Sequence, residues 1–281
     1  METHLENGNG VMGISVVLAG CGNMGYAMLS GWLASGRLAP GEVAVVEPNA
    51  ALLARAAEKG VHAMADASAL AAATPRLVVF AVKPQVIREV AVQYRALAGK
   101  GTAFLSVAAG TPVATFEEIL GAGVAITRCM PNTPAAIGKG MMVVFDNPNV
   151  PPETGAFVRD LLAASGEVAT VSDEALMDAV TAVSGSGPAY VFHFIECLTA
   201  AGEKAGLPAR TAKLLAMQTV YGAACLARES DETPGRLREQ VTSPNGTTAA
   251  ALSVLMGGDR LKTLVGEAVE AARARSVELG R

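Results

Sequence analysis

Residues Ile14–Leu33 read ISVVLAGCGNMGYAMLSGWL, and the order of residue types in this stretch decides how the chain begins to fold. Ile14 to Ala19 is a short apolar run rich in β-branched residues, as expected of a parallel strand buried on both faces. Gly20, Gly22 and Gly25 follow, and apolar residues then recur at helical spacing through Met24, Met28 and Trp32. Strand, G-x-G-x-x-G and helix together form a dinucleotide-binding unit. The first glycine permits the tight turn, the second admits the pyrophosphate to the backbone, and the third lets helix and strand pack closely. The helix start then offers free N–H groups and a partial positive charge to phosphate. A glycine triplet alone is weak evidence in a glycine-rich chain; placed directly after an apolar strand, it is much stronger.

Composition sets the outer bounds. A chain of 281 residues is long enough for two domains. It is 51% hydrophobic, yet its apolar runs are broken by charges or glycines before reaching the ~18 residues of a membrane span. Even Ala189 to Ala201 is interrupted by His193 and Glu196. The opening METHLENGNGVM (residues 1–12) has neither a basic start nor an apolar centre. It reads as a loose polar tail rather than a signal peptide, with Met12 a candidate functional start. The net charge of −4 and the absence of basic runs argue against nucleic acid as a partner.

Cys21, Cys129, Cys197 and Cys225 form no C-x-x-C pair, so reduced thiols in a cytoplasmic protein are expected rather than disulfides or a zinc site. The three histidines are equally scattered, and His193 reads as a core or interface residue. No metal cluster, G-x-S-x-G elbow or Cys–His nucleophile pair is evident. A bound cofactor is therefore expected to carry the chemistry.

The first half alternates strands and helices, which predicts a doubly wound parallel sheet. Strands are expected at Val43 to Glu47, Val61 to Met64, Leu77 to Val82, Thr102 to Ala108, Val124 to Cys129 and Met141 to Phe145, with a weaker one at Glu167 to Val171. Between them, Ala50 to Lys59 reads as a helix, and Asp66 caps a small alanine-rich helix. Thr111-Pro112 reads as a capping residue with proline at the first helical position, and Glu153 to Ala164 as a further helix. After about Ser172 the strands stop. Helices are expected over Asp173 to Val183, Pro188 to Ala205, Ala209 to Arg228, Thr247 to Met256 and Asp259 to Leu279, with a turn-rich stretch in between. The expected organisation is a tail over 1–12, a Rossmann-like dinucleotide-binding domain over 13–172, and an all-helical substrate and dimerisation domain over 173–281. Ala189 to Leu198 is apolar around much of its circumference, so it must be buried in a core or against another subunit; a dimer interface is favoured.

Ligands of open parallel sheets bind beyond the carboxyl ends of the strands. Besides the glycine turn, Ala81-Val82-Lys83-Pro84-Gln85, Ser106 to Gly110 and Arg128 to Pro134 are placed there. Lys83 is either a ligand contact or an ordinary solvated lysine. Asn132 is either a hydrogen-bond donor to a ligand or part of a turn stiffened by two prolines. In the helical half, Ser184 to Tyr190 supports a close helix crossing as well as a functional loop. Ser243-Pro244-Asn245-Gly246-Thr247-Thr248 forms a turn before a helix start and suits a small carboxylate, although an ordinary capped helix start fits it too.

Six separated motifs occur in one order: GCGNMG at Gly20 to Gly25, AVKPQ at Ala81 to Gln85, SVAAG at Ser106 to Gly110, MPNTP at Met130 to Pro134, SGSGPAY at Ser184 to Tyr190, and TSPNGTT at Thr242 to Thr248. With them the chain after Met12 resembles the pyrroline-5-carboxylate reductases. The resemblance implies reduction of a cyclic imine, 1-pyrroline-5-carboxylate, to L-proline by NADPH or NADH, and a dimeric or larger homo-oligomer built from the helical domains. It places cofactor contacts on Gly20, Cys21, Gly22, Asn23, Met24 and Gly25, on Val82, Lys83 and Pro84, and on Ala109, with Asn132 a further candidate. The substrate carboxylate is implied against the backbone of Gly246, Thr247 and Thr248, with Ser243 and Val241 nearby. The hydroxyl of Thr248 is implied at the ring nitrogen.

Two departures stand out. Asn245 occupies a position where the family often has glycine; asparagine tolerates positive φ better than most residues. Glu47 ends the second strand where the family often carries a small polar residue. A carboxylate there suits the ribose 2′-hydroxyl of NADH and opposes the 2′-phosphate of NADPH, unless it points to solvent. Two other functions compete. A β-hydroxyacid dehydrogenase shares the architecture but needs a lysine and an asparagine as proton-donating machinery after the sheet domain, and Asp173 to Cys197 contains neither. An NAD(P)-sensing binding module accounts for the glycine turn but not for the loop at Ser243 to Thr248.

Overall fold

The computed structural model describes residues 13–70 and 72–280. The polar tail expected over 1–12 lies outside the described residues. Two compact units are present: 13–185 together with 273–280, and Ser186–Ala272. Strands thus end where expected, but the first unit runs beyond Ser172 and takes back the end of the chain.

The first unit is an eight-stranded sheet. Its strands are β1 (Val16–Ala19), β2 (Val43–Val46), β3 (His62–Met64), β4 (Leu77–Phe80), β5 (Ala103–Ser106), β6 (Ile126–Met130), β7 (Gly140–Asp146) and β8 (Gly166–Thr170), in the spatial order β3-β2-β1-β4-β5-β6-β7-β8. β1 is fully buried and lies between β2 and β4, where the strand order reverses. Such a switch point opens a crevice beyond the strand ends. Alternate residues of β1 feed two cores, Val16 and Leu18 on one face and Val17 and Ala19 on the other. On the second face Phe80 stacks on Phe104 and Phe116 and meets Tyr94 edge-on. Burial of these large side chains is the main source of the unit's stability.

The sheet is not parallel throughout. The pairs from β3 to β6 are parallel, but β7 runs antiparallel to β6, and β8 pairs parallel with β7. Residues 131–139 are too few for the crossover that a parallel pair requires, so the chain turns straight back.

Covering helices are α1 (Asn23–Ala34), α2 (Ala50–Ala57), α3 (Ile87–Ala91), α4 (Arg95–Ala98), α5 (Val113–Leu120) and α6 (Pro152–Ala163). Asp66 accepts the Ser68 N–H at the start of a 3-10 turn, as its sequence position suggested. Thr111 is not the cap of α5. Pro112 occupies the N-cap position, and the Val113 N–H is satisfied instead by Glu174 Oε1 at 2.8 Å. That carboxylate comes from far along the chain and also places negative charge at a helix N-terminus. The run expected over Asp173 to Val183 is broken into a 3-10 turn, α7 (Met177–Val180) and a π-helical turn at Thr181–Gly185.

The second unit contains α8 (Gly187–Lys204), α9 (Ala209–Glu229), α10 (Pro234–Gln240), α11 (Thr247–Met256) and most of α12 (Arg260–Leu279). α10 falls in the stretch expected to be turn-rich; its signal was Thr233-Pro234, a capping hydroxyl with proline at the first helical position. α8 and α9 pack closely through Gly202, where an added Cβ would lie 3.2 Å from that of Ala212. Large apolar side chains of this unit, Phe192, Phe194, Leu214 and Tyr221 among them, stand exposed on the single chain. His193 is exposed as well, with Nδ1 3.0 Å from Glu196 Oε2, which removes the core reading of this residue.

Candidate active site

The glycine turn follows directly from the sheet. Gly20 N–H donates to the Val46 carbonyl, and Gly20 adopts φ +92°, which disfavours any side chain. A Cβ there would lie 2.6 Å from Val82 Cγ1 and 2.8 Å from the Ala81 carbonyl oxygen. At Gly25 it would lie 2.3 Å from the Gly20 carbonyl oxygen, so this residue sets the helix-to-strand approach. At Gly22 it would meet nothing within 4 Å, which leaves open space over the turn. The first bond of α1 runs from the Tyr26 N–H to the Gly22 carbonyl. The N–H groups of Asn23, Met24 and Gly25 therefore precede the helix's own bonding, and α1 has neither a side-chain cap nor an acidic first turn. An open, uncapped helix start beside the open space at Gly22 fits a pyrophosphate.

Beyond the carboxyl ends of β1, β2 and β4 lies a cavity of about 600 Å³. It brings together Gly20 and Gly22 of the glycine turn, Glu47 at the end of β2, and Val82 and Lys83 of the AVKPQ motif. Pro84 begins the 3-10 turn that follows Lys83. Asn23 and Met24 line an adjoining cavity with Arg55 and Thr133.

Three expected cofactor contacts are engaged elsewhere or stand apart. The Cys21 N–H donates to Glu47 Oε2 at 2.8 Å, its carbonyl accepts from Arg55 Nη2 at 2.8 Å, and its thiol is buried. Cys21 thus braces the turn and offers a ligand no free backbone donor. Burial pushes its thiol pKa up, and the Arg55 guanidinium opposes that rise. Asn132 holds its own loop: Oδ1 accepts the Met141 N–H at 2.8 Å, and Nδ2 donates to the Ser184 carbonyl at 3.2 Å. The ligand-donor reading of Asn132 gives way to a bracing one, because both ends of the amide have internal partners. Ala109 is not among the residues lining the cavity around Glu47. It precedes Gly110, which the end of α12 approaches closely; a Cβ on Gly280 would lie 2.6 Å from the Gly110 carbonyl oxygen.

Sequence reasoning missed Arg55 and gave Arg128, at the head of the candidate loop Arg128 to Pro134, no role. Arg55 stacks 3.9 Å over the Tyr26 ring while holding the turn. Arg128, nearly buried in the middle of β6, pairs with Glu174 at 2.6 Å. An arginine within a β-rich segment was the available signal for the second. In the SGSGP loop a Cβ on Gly185 would lie 2.3 Å from Met130 Cε, a β6 side chain rather than a crossing helix, and one on Gly187 would meet nothing within 4 Å.

In the second unit the Ser243 to Thr248 turn is formed as its residues suggested. Asn245 adopts φ +58°, the left-handed region that asparagine tolerates. The Gly246 N–H closes the turn onto the Ser243 carbonyl at 3.0 Å, so this group is not available to a ligand. The first bond of α11 runs from Ala250 N–H to the Gly246 carbonyl, which leaves the Thr247 and Thr248 N–H groups ahead of the helix's own bonding. No side chain caps α11, and its first turn holds no acid. Val241 and Ser243 are exposed beside this start.

Known proteins place both units. Residues 174–279 match the family model for pyrroline-5-carboxylate reductase dimerisation, and residues 15–110 match that for NADP oxidoreductase, coenzyme F420-dependent. A pyrroline-5-carboxylate reductase of Pseudomonas aeruginosa is 38% identical over 94% of this chain and 96% of its own. The structure of a pyrroline-5-carboxylate reductase from Coxiella burnetii superposes with a TM-score of 0.90 at 34% identity, over 96% of this chain and 99% of that one. That of a Plasmodium falciparum pyrroline carboxylate reductase with NADP bound gives 0.82 at 30% identity, over 97% and 100%.

Proposed function

Because the chain belongs to the pyrroline-5-carboxylate reductase family, we infer that it is an NAD(P)H-dependent oxidoreductase that reduces 1-pyrroline-5-carboxylate to L-proline, the last step of proline synthesis. The structural observation that carries the reading is the open start of α11, where the left-handed Asn245 and the inward Gly246 N–H close the turn and the Thr247 and Thr248 N–H groups precede the helix's own bonding. A helix N-terminus with free N–H groups and no competing acid suits the carboxylate of a small cyclic imino acid.

The residues divide the work as follows. Gly20, Gly22 and the N–H groups of Asn23, Met24 and Gly25 receive the pyrophosphate, and Val82, Lys83 and Pro84 flank it. When bound, the reduced nicotinamide supplies the hydride that adds to the carbon of the C=N bond. The Thr247 and Thr248 N–H groups hold the substrate carboxylate, with Ser243 and Val241 beside it. The Thr248 hydroxyl, which has no partner among the described residues, holds the ring nitrogen. A protonated imine is already electrophilic, so the chain chiefly has to align two rings and hold the nitrogen and the carboxylate. No acid–base dyad is needed for that.

The match to the dimerisation model and the exposed apolar faces of α8 and α9 support a homodimer or larger homo-oligomer through the helical unit. No helix among the described residues is long and apolar enough to cross a membrane. Free thiols at all four cysteines support a cytoplasmic setting. Turnover of synthetic pyrroline-5-carboxylate, followed by loss of nicotinamide absorbance, tests the activity. Turnover of a β-hydroxyacid instead, or cofactor binding without any turnover, would overturn it in favour of one of the two competing functions.

A further inference from the structure

The crevice beside the glycine turn carries charges that the reduction does not require. Glu47, Asp66 and Glu89 all line it, and Lys83 is the cation among the described lining residues. Glu47 is 7% exposed and is held from both sides. Its Oε2 accepts the Cys21 N–H at 2.8 Å and its Oε1 accepts the Asn49 N–H at 2.9 Å. Both donors are backbone groups of the two turns that frame the crevice, so the carboxylate cannot swing out to solvent without leaving a buried N–H unpartnered. The Arg55 guanidinium bonds to the Cys21 carbonyl and stacks on Tyr26, and it does not line this crevice. The Asn49 side-chain oxygen is also engaged, capping α2 through the Ala51 and Leu52 N–H groups.

We propose that Glu47 is a specificity-determining residue that makes this crevice select NADH over NADPH. The proposal rests on the reading that a nicotinamide dinucleotide binds at the glycine turn. Each Glu47 oxygen keeps a lone pair beyond its backbone bond, and an acidic residue at the end of the second strand accepts the ribose 2′-hydroxyl. A 2′-phosphate instead brings about −1.5 to −2 charges and no hydrogen to donate. It would enter a crevice that already holds three carboxylates against one lysine. Glu47 is buried while Asp66 and Glu89 are exposed, so its share of the repulsion is the least screened by salt.

The test is equilibrium titration of NADH and of NADPH with the purified full chain, read by nicotinamide fluorescence, which needs no substrate and no turnover. The expected result is a Kd for NADH lower than that for NADPH by on the order of tenfold or more, with the ratio shrinking as salt rises. In Glu47→Gln the ratio is expected to fall toward one, while circular dichroism confirms the fold. Equal or tighter binding of NADPH by the unaltered chain overturns the proposal, as does an unchanged ratio in folded Glu47→Gln. Should that variant not fold, the ratio in the unaltered chain and its salt dependence decide alone; a ratio insensitive to salt counts against it. Tight NADH binding without turnover of pyrroline-5-carboxylate would overturn the proposed activity and leave this selectivity standing.

Discussion

Asn132 and Ser184 are joined across the first unit: the Asn132 Nδ2 donates to the Ser184 carbonyl at 3.2 Å, while its Oδ1 accepts the Met141 N–H at 2.8 Å. One amide thus ties the MPNTP loop to the π-helical turn and to the start of β7. Asn132→Ala removes both bonds and leaves two backbone groups without these partners. The expected cost is about 2–3 kcal/mol of unfolding free energy, measurable by denaturant titration. Asn132→Asp keeps the acceptor but loses the donor, and should fall between the two. Equal stability of all three chains would show that the brace contributes nothing.

Thr248→Ala is expected to lower kcat/KM by about ten- to a hundredfold, the equivalent of one hydrogen bond of roughly 1–3 kcal/mol made at the reacting nitrogen. Thr248→Ser, which retains the hydroxyl, should recover most of the loss. Steady-state kinetics with unchanged rates for the alanine variant would remove Thr248 from the site.

Two glycines offer a matched comparison. A Cβ at Gly25 or at Gly185 would approach to the same 2.3 Å, but the obstacle differs. At Gly25 it is the Gly20 backbone carbonyl, which cannot move without dismantling the turn; at Gly185 it is the terminal methyl of the flexible Met130. Gly25→Ala should abolish measurable NADH binding and destabilise the chain by about 2–4 kcal/mol. Gly185→Ala should cost about 1 kcal/mol or less, since methionine repacks easily. Calorimetric melting and nicotinamide fluorescence separate the two cases.

Burial raises the thiol pKa of both Cys21 and Cys129. A thiol whose pKa is raised is less ionised at any given pH, and the thiolate is the nucleophile. Neither residue should therefore react with iodoacetamide at pH 8 until the chain unfolds. Mass spectrometry of peptides labelled before and after denaturation provides the check; rapid native labelling of Cys129 would contradict its burial.

The helical unit buries little of its own apolar surface, with Ala212 and Ala216 the hydrophobic residues fully enclosed in α9 and none in α8. Phe192, 60% exposed on the single chain, is the natural probe of the surface that pairs with another copy. Phe192→Glu should shift sedimentation toward smaller species and lower the melting temperature by several degrees. A profile identical to that of the unaltered chain would place the interface elsewhere.

The sequence by itself determined the class of the fold and the existence of two tight turns, each leading into an uncapped helix start. Both rest on local chemistry: glycine where a Cβ collides with backbone, asparagine where φ is positive, β-branched runs where a strand is covered on both faces. Those constraints act within a few residues, so they are visible along the chain. The reversal of β7 was also legible, because the nine residues 131–139 between it and β6 are too few for a crossover. Only the tertiary structure decided that Glu174 rather than Thr111 satisfies the start of α5, and that the Cys21 N–H and the Asn132 amide have partners within the chain. In each case the partner lies far along the chain, and no sequence pattern reveals that a hydrogen-bonding group is already engaged. Glu47 shows both sides: its type and position at a strand end suggested a role at the ribose, while the bonds to Cys21 and Asn49 that hold it facing the crevice exist only in the folded chain.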